Sequence, residues 1–188
     1  MAPTLWLVRH APTRENVDEV IMGQRDPDAS VDGLREAEGV LADVAFTRVV
    51  SSDARRARAT ACAIAPRVLV RLDERLRERS LGDWEGRTKS QLRTVHPDVF
   101  ARGGAIRLDA AVPGFEPIAV LFHRVHDALA DLVDVDGPVL VVAHNGSLRA
   151  ALVLLGETNL ATAAGMSLAH LSPVVVDLGR LRAPASVL

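Results

Sequence analysis

Two short runs of apolar residues stand out in the hydrophobic pattern of the chain. Residues 5–8 read Leu-Trp-Leu-Val and residues 139–143 read Val-Leu-Val-Val-Ala, and polar or turn-forming residues follow both runs. Runs of this length without polar alternation are typical of strands that are buried on both faces. Two shorter β-type segments, at 47–51 and 68–72, predict further strands.

Helical periodicity is clearest in the segment that follows Pro117. Apolar residues recur there every three or four positions up to Val133, and proline suits the first position of a helix. The dipeptide at 137–138, Gly-Pro, ends this helix. Similar spacing predicts a helix over 33–44. Caps and breakers predict three more helices: one from a cap at Ser52 or Asp53 to about Ala65, one over 88–100 with an interruption at Pro97, and one over 147–155.

The order of the elements predicts the fold class. Strands alternate with helices, which favours a single three-layer α/β/α domain over residues 1–188, with helices on both faces of a mostly parallel central sheet. Two late β-type segments, 167–171 and 173–178, predict a hairpin. The long segments at about 14–32 and 87–115 are expected to form a lid or cap, because long loops in compact domains are often functional.

Composition excludes several classes of function. The chain has 188 residues, which fits one domain with a sizeable core, and its net charge of −2 gives no reason to expect nucleic acid or a membrane as a partner. Neither a secretory signal nor a membrane-length apolar stretch is recognised, so a cytoplasmic location is expected. Cys62 is the only cysteine, which rules out an intrachain disulfide, and it is predicted to be buried.

Candidate chemistry lies at the ends of the two apolar strands. Arg9 and His10 follow the first strand, and His144 follows the second. Because the carboxyl ends of neighbouring parallel strands meet at one edge of a sheet, the two imidazoles are expected to face each other. An arginine from the cluster at 55–58 would complete a cationic pocket that can hold a phosphoryl group without a metal.

Four motifs, in this order along the chain, resemble those of the histidine phosphatase superfamily, also called phosphoglycerate-mutase-like. They are Arg9-His10 with Thr13 and Asn16; Ser51-Ser52-Asp53 leading to Arg56-Ala57 and Thr60-Ala61; Leu76-Arg77-Glu78 followed by residues 82–86; and Ala143-His144-Asn145-Gly146 with Leu148-Arg149. Each motif is weak alone, but the four together cover residues 5–156.

The resemblance implies a role for each matching residue. His10 would attack phosphorus and become a phosphohistidine, and Glu78 would donate a proton to the leaving group and later accept one from water. The residues implied to line the phosphate pocket or contact the substrate are Arg9, Arg56, His144, Asn16, Thr13, Gly23 and Asn145. Guanidinium groups next to His10 would keep its imidazole unprotonated. No metal and no cofactor are implied, and the expected partner is a small phosphorylated substrate, bound by a monomer or a homodimer.

Four positions depart from the family pattern. Ala11 and Asn145 each follow a histidine at a place where glycine is usual or common, and the usual Gly-Gly-Glu-Ser is Gly-Phe-Glu-Pro at 114–117. The last change removes a serine that would cap the following helix. These differences concern substrate selection and capping more than the phosphoryl step.

The residues after Glu78 indicate the branch of the family. Mutases have a tyrosine shortly after this glutamate and a longer basic insertion, whereas this chain has no tyrosine and only a short segment between Gly86 and Pro113. The chain therefore resembles the phosphatase branch, which includes α-ribazole phosphatase, fructose-2,6-bisphosphatase and broad-specificity enzymes. The alternatives are mutase-type phosphoryl transfer, a protein-phosphohistidine phosphatase, and a regulator that binds phosphate without turnover.

The remaining histidines carry no predicted chemistry. His123 and His126 share one helix, but no acidic or thiol ligand stands at a suitable spacing, so a metal site is not expected. His96 and His170 are interpreted as structural.

Overall fold

A five-stranded sheet forms the centre of the computed structural model, which describes residues 3–188. The strands are β1 (Thr4–Arg9), β2 (Arg48–Ser51), β3 (Val70–Leu72), β4 (Val139–Ala143) and β5 (Val174–Asp177). Their order across the sheet is β3-β2-β4-β1-β5, and only β5 runs antiparallel to its neighbour. The two apolar runs of the sequence are therefore the central, paired strands β1 and β4.

Helices cover both faces of this sheet. They are α1 (Arg14–Val17), α2 (Val31–Gly39), α3 (Arg55–Ile64), α4 (Lys89–Val95), α5 (Ile118–Ala130), α6 (Asn145–Leu154) and α7 (Leu160–Gly165). Successive side chains of β1 point to opposite faces, so Leu5 and Leu7 pack with α5 and α6, whereas Val8 packs with α2 and α3. The predicted three-layer α/β architecture is confirmed.

The predicted late hairpin is wrong. Of its two segments, only β5 is a strand, and it pairs with β1 instead of with residues 167–171. The first segment cannot pair as a strand because its backbone groups bond elsewhere: the amide of Leu171 donates to the carbonyl of Arg9, and the carbonyl of Leu168 accepts from the Arg9 guanidinium.

Several helix boundaries and one burial prediction also differ from expectation. Helix α2 starts earlier than predicted, behind a Ser30 cap, and ends at Gly39. Neither Ser52 nor Asp53 caps α3, because Asp53 accepts from Arg77 instead (Oδ1–Nε 2.8 Å). Cys62 is exposed, since it lies on the face of α3 opposite its buried residues. The short helix α7 was not predicted.

The segments predicted as a cap form one wall with its own small core. Residues of both segments pair with each other, since the amide of Ile21 donates to Arg87 and that of Lys89 donates to Glu19. Beneath them lies a cluster of buried apolar residues: Ile21, Trp84, Leu92, Val99, Phe100 and Phe115. This wall stands over the carboxyl edge of the sheet; that it moves as a lid remains a prediction.

Candidate active site

Three strand ends bring the predicted residues together. In the pairing of β1 with β4, Arg9 lies opposite Ala143, and the amide of His10 donates to the carbonyl of Ala143 (3.0 Å). On the other side of β4, the amide of Ser52 donates to Val142 (2.9 Å). His10 and His144 consequently face each other, with ring centroids 5.1 Å apart.

His10 has the geometry of a nucleophile. Its side chain is buried, and its Nδ1 lies 2.7 Å from the carbonyl oxygen of Ala11, which can only accept, so Nδ1 carries the proton. Within the part of the chain that the structure describes, Nε2 has no hydrogen-bond partner and keeps its lone pair. Burial, followed by the charge of Arg56, holds the pKa of His10 well below its ordinary value of 6.5.

His144 is oriented by a hydroxyl that the sequence analysis did not assign to the site. Its Nε2 lies 2.9 Å from Oγ of Ser52, and the amide of Ala54 donates to the same oxygen at 3.3 Å. The serine hydroxyl can therefore donate to Nε2, which leaves the ring proton on Nδ1. Burial first, then Arg56, lowers the pKa of His144 well below 6.5, so this ring is also neutral.

Two guanidinium groups complete the pocket. Arg56 is 1% exposed and donates from its terminal nitrogens to Arg25 (2.7 Å) and Gly23 (3.2 Å), while Arg9 donates to Leu168 (2.6 Å). These bonds fix both side chains by their far ends. The Nε of each arginine remains buried without a partner.

The unpartnered donors are the decisive feature of the pocket. Among residues 3–188, the buried side-chain nitrogen and oxygen atoms that lack a partner are Nε of Arg9, Nε of Arg56 and Nδ1 of His144. Buried donors without partners are rare because each costs free energy. All three belong to side chains at the edge of the sheet where His10 lies.

Gly23 is required for the loop that holds Arg56. Its φ is +51°, in the left-handed region, and a Cβ atom would lie 2.1 Å from Oε1 of Glu85. That carboxylate accepts from the amides of Gln24 (3.1 Å) and Leu81 (2.9 Å), which fastens the loop to the segment 81–85. Gly23 therefore contributes its carbonyl and its small size.

Glu78 lies at the amino end of α6, next to the pocket. Its two carboxylate oxygens accept from the amide of Gly146 at 2.9 and 3.0 Å, and Oε1 also accepts from the amide of Arg79 (2.8 Å). The amino end of a helix favours a negative group. A Cβ at Gly146 would lie 2.3 Å from Oε1 of Glu78, so this glycine permits the contact.

Arg124 on α5 holds the segment that carries Glu78. Its guanidinium donates to the carbonyls of Arg75 (2.6 Å), Arg77 (2.7 Å) and Glu78 (3.1 Å), and it pairs with Glu116 at 2.6 Å. Both members of this ion pair are largely buried. Nothing in the local sequence around Arg124 indicates this role, because its partners lie about fifty residues away.

The other predicted substrate-binding residues differ in where they lie. Asn16 and Asn145 line the cleft, although the Asn145 side chain also accepts from the amide of Leu168 (2.9 Å). Thr13 is not among the lining residues: it is fully buried and caps α1, with its amide donating to Oδ1 of Asn16 (3.0 Å). The direct substrate contact predicted for Thr13 is replaced in this structure by support of Asn16.

The cleft beyond the pocket has few free cations. Arg79 and Arg149 also line it, but both donate to backbone carbonyls, and Arg107 pairs with Asp109 (2.6 Å). Lys89, the only lysine, is half-buried in the cleft wall and makes no ion pair within residues 3–188. The cleft encloses about 960 Å³ of empty space, including its open mouth.

No three residues among those described have the arrangement of a metal site. His123 is exposed, with its Nδ1 bonded to the carbonyl of Ala119, and His126 lies beside Asp127. The helices of the described chain are all too short or too polar to cross a membrane.

The buried neutral histidines predict that stability depends on pH. The pKa values of His10 and His144 are depressed below 6.5 in the folded chain, so the unfolded chain binds more protons as the pH falls below that value. Their contribution is complete above pH 6.5 and is lost below it, by up to about 1.4 kcal/mol per pH unit for each ring. Urea unfolding between about pH 7.5 and about pH 5 measures this slope.

Matched variants separate this effect from the titration of carboxylates. His144→Gln should make the slope shallower, whereas His123→Gln, on the exposed face of α5, should leave it unchanged. An equal slope in His144→Gln and the unmodified chain would contradict the prediction.

Comparisons with known proteins show the family of the chain and its fold. The family model described as "Histidine phosphatase superfamily (branch 1)" matches residues 5–183. A glucosyl-3-phosphoglycerate phosphatase from Mycobacterium tuberculosis is 34% identical over 184 residues, which cover 88% of this chain and 82% of that protein. A 2,3-bisphosphoglycerate-dependent phosphoglycerate mutase from Sinorhizobium fredii is 29% identical over 192 residues, covering 95% and 91%.

The fold is shared with a solved relative. The structure of a mycobacterial glucosyl-3-phosphoglycerate phosphatase in complex with VO3 superposes with a TM-score of 0.78 and 30% sequence identity, and the match covers 92% of this chain and 91% of that one.

Proposed function

The chain belongs to branch 1 of the histidine phosphatase superfamily. From this premise we propose that it is a metal-independent phosphomonoester hydrolase with a phosphohistidine intermediate on His10. Relatives that cover most of the chain are named as phosphatases, which supports the general class of activity. The substrate is a small phosphorylated metabolite held in the cleft beside His10.

One observation carries the proposal. His10 has a neutral imidazole with a free Nε2, and the neighbouring side chains of Arg9, Arg56 and His144 each hold a buried nitrogen that has no partner within residues 3–188. A phosphoryl group bound there would accept all three hydrogen bonds and place phosphorus next to the nucleophile. Fixed donors of this kind stabilise the negative charge of the transition state. In other enzymes a metal ion provides this stabilisation.

The first half of the reaction transfers the phosphoryl group to the enzyme. Nε2 of His10 forms a bond to phosphorus as the bond from phosphorus to the leaving oxygen breaks. The carbonyl of Ala11 holds the proton on Nδ1, which stabilises the ring as it becomes positively charged. Glu78 in its protonated form gives its proton to the leaving oxygen, so the product departs as a neutral alcohol.

The second half returns the enzyme to its starting state. The carboxylate of Glu78 accepts a proton from water, and the water oxygen attacks phosphorus as the bond from phosphorus to Nε2 breaks. Inorganic phosphate leaves, His10 is neutral again, and Glu78 holds the proton needed for the next cycle. The hydrogen bonds from Gly146 and Arg79 keep the carboxylate beside the pocket throughout.

Mutase-type transfer is the second candidate, because the Sinorhizobium fredii mutase matches nearly the whole chain. A mutase must also bind a second anionic group on its substrate. In this cleft Arg79, Arg149 and Arg107 are already bonded within the protein, and the carboxylates of Glu15 and Glu19 line the same space as Lys89. These contacts favour water over a second phosphorylated hydroxyl as the acceptor.

Phosphate release from p-nitrophenyl phosphate in the presence of EDTA tests the proposed activity. We expect hydrolysis to continue in EDTA, because the protein's own cations stabilise the phosphoryl group. Loss of activity in EDTA that added metal restores would contradict metal independence. Transfer of phosphate between the hydroxyls of 3-phosphoglycerate that outpaces its hydrolysis would favour the mutase alternative.

Glu78→Gln is expected to change which step limits the rate. With p-nitrophenyl phosphate, whose leaving group needs little protonation, we expect a burst of p-nitrophenol followed by slow turnover, since no base remains to activate water. With an alkyl phosphate such as glycerol phosphate, the first step itself slows, by about 10²- to 10⁴-fold. Stopped-flow absorbance and phosphate release measure the two phases.

Glu74→Gln is the matched control for that experiment. Glu74 lies four residues from Glu78 on the same segment, but its side chain is 76% exposed, and its ion pair with Arg77 spans 3.9 Å. Its substitution should leave both substrates unaffected. Equal losses on both substrates and no burst in Glu78→Gln would show that Glu78 is not the proton donor and acceptor.

A further inference from the structure

We propose that His170 is a positioning residue, which holds the nucleophile His10 in its reactive orientation at the end of β1. The proposal rests on the proposed function, since it assigns His170 a part in forming the phosphohistidine. His170 lies in the segment 168–171, between α7 and β5, and is 160 residues away from His10 in the sequence.

His170 contacts both the backbone and the ring of the nucleophile. Its Nδ1 lies 2.6 Å from the carbonyl oxygen of His10, and because a carbonyl only accepts, Nδ1 donates the proton. Its ring packs edge-on against the His10 ring, with centroids 5.1 Å apart. On the other side, the carbonyl of Ala11 holds Nδ1 of His10. The nucleophile is thus restrained from two directions.

The whole segment 168–171 is fastened to the residues of the pocket. The carbonyl of Leu168 accepts from the Arg9 guanidinium (2.6 Å), and the amide of Leu168 donates to Oδ1 of Asn145 (2.9 Å). The amide of Leu171 donates to the carbonyl of Arg9 (3.1 Å). Together with the His170 bond, four hydrogen bonds join this short segment to three residues at the catalytic edge.

Backbone strain supports a functional reason for this arrangement. Leu171 has a φ of +56°, a left-handed conformation that is unfavourable for a residue with a side chain, and it is buried. Such strain persists only where surrounding contacts over-determine the conformation, and it concentrates at functional sites. The strained residue directly follows His170 and turns the chain so that the imidazole meets His10.

The charge state of His170 suits this role. Burial, followed by the positive charge of Arg9, lowers the pKa of His170 to about 4, and Lys89 also contributes. Near neutral pH the ring therefore donates one hydrogen bond without adding a positive charge beside the nucleophile.

Two substitutions separate the hydrogen bond from the packing of the ring. His170→Asn keeps an N–H donor near the position of Nδ1, while His170→Phe keeps the ring and loses the donor. We expect His170→Phe to slow phosphohistidine formation and kcat by about 10- to 100-fold, the effect of a misplaced nucleophile. The Kd of inorganic phosphate should be unchanged, because the donors on Arg56 and His144 are untouched. His170→Asn should retain most of the rate.

His123→Phe is the matched control. It removes a histidine whose Nδ1 bonds a backbone carbonyl at a similar distance, 2.7 Å to Ala119, on the exposed face of α5. This variant should keep the full rate of phosphohistidine formation. A purely structural role for His170 would instead lower Tm and rate together in both of its variants, and would weaken phosphate binding in proportion.

Nitrogen NMR of the His10 ring provides a readout that does not need turnover. In the unmodified chain the proton should stay on Nδ1, where the carbonyl of Ala11 holds it. His170→Phe leaves that bond in place, so Nδ1 should remain protonated while the Nδ1 and Nε2 resonances of His10 shift and broaden, because the backbone of His10 loses the bond from His170. Full activity in His170→Phe, or an equal loss in His170→Asn and His170→Phe, would overturn the proposal. If the unmodified chain releases no phosphate, the proposed function is wrong. The NMR experiment still tests the role of His170 in that case, because an unchanged His10 spectrum in His170→Phe would contradict it.

Discussion

His10→Ala is expected to abolish phosphate release while leaving phosphate binding intact. Removal of a covalent nucleophile costs about 10⁴-fold or more in kcat. The three unpartnered donors of the pocket, on Arg9, Arg56 and His144, are retained in the variant. Inorganic phosphate should therefore still bind, and calorimetry can measure its Kd alongside the rate with p-nitrophenyl phosphate.

Trapping of the intermediate makes this prediction specific. With a substrate labelled on phosphorus, the unmodified protein should carry an acid-labile label after rapid quenching in base, as expected of a phosphohistidine. His10→Ala should carry none. His123→Ala, which removes an exposed histidine on α5, should retain both the label and the activity.

Two results would contradict this assignment. Unchanged activity in His10→Ala would place the nucleophile elsewhere. Loss of phosphate binding together with activity would show that the substitution disrupts the pocket and not the chemistry alone, and the labelled intermediate of the unmodified protein would then have to be mapped directly.

Arg56→Met is expected to give the second largest loss, about 10²- to 10³-fold in kcat/KM, the usual effect of removing one fixed donor to a developing anion. Its buried Nε would no longer meet the phosphoryl group, and the carbonyls of Gly23 and Arg25 would lose their donors. Phosphate should also bind more weakly, unlike in His10→Ala. Steady-state kinetics with competitive inhibition by inorganic phosphate measures both effects.

The same substitution should shift the pH dependence in a known direction. The charge of Arg56 lowers the pKa of both His10 and His144. Without it both pKa values rise, so the loss of kcat/KM on acidification should begin at a higher pH than in the unmodified enzyme. An acidic limb that stays in place would contradict the electrostatic role given to Arg56.

The neighbouring Arg55 provides the matched control. Its side chain is 61% exposed, and it lies 3.5 Å from Asp26 and 3.4 Å from Asp28 in surface ion pairs. Because exposed ion pairs contribute little, Arg55→Met should keep kcat/KM within about twofold of the unmodified protein. Arg56→Lys should recover only part of the activity, since lysine cannot reproduce the planar, multiply bonded guanidinium.

Local patterns were sufficient to predict the architecture of the catalytic edge. The apolar runs at 5–8 and 139–143 identified β1 and β4 because central parallel strands are buried on both faces. Their carboxyl ends placed His10 and His144 close together, as the register of the two strands confirms. Helix α5 followed from periodicity, which reports its buried face, whereas α3 and α6 were predicted from the proline and glycine at which they end.

Other features depend on residues that are far apart in the sequence. Segment 167–171 has the composition of a strand, yet its backbone groups bond to Arg9 and Asn145, and this is not visible in its local pattern. Ser52 bonds His144, which is 92 residues away, and Arg124 bonds the backbone of Glu78, which is about fifty residues away. Neither contact is visible in the local sequence pattern.

Periodicity and the order of the elements thus predicted the fold class, and motif order predicted the candidate site residues, because both patterns are encoded in nearby positions of the sequence. The three-dimensional packing established the strand order, the antiparallel edge strand β5 and the supporting bonds of each catalytic group. These features depend on contacts between residues that are distant in the sequence. When the layers pack together, buried backbone groups that are not yet paired form hydrogen bonds with whichever groups lie next to them. Arg9, Arg56 and His144 each keep a buried nitrogen without a hydrogen-bond partner among the described residues. We expect the substrate to provide these partners.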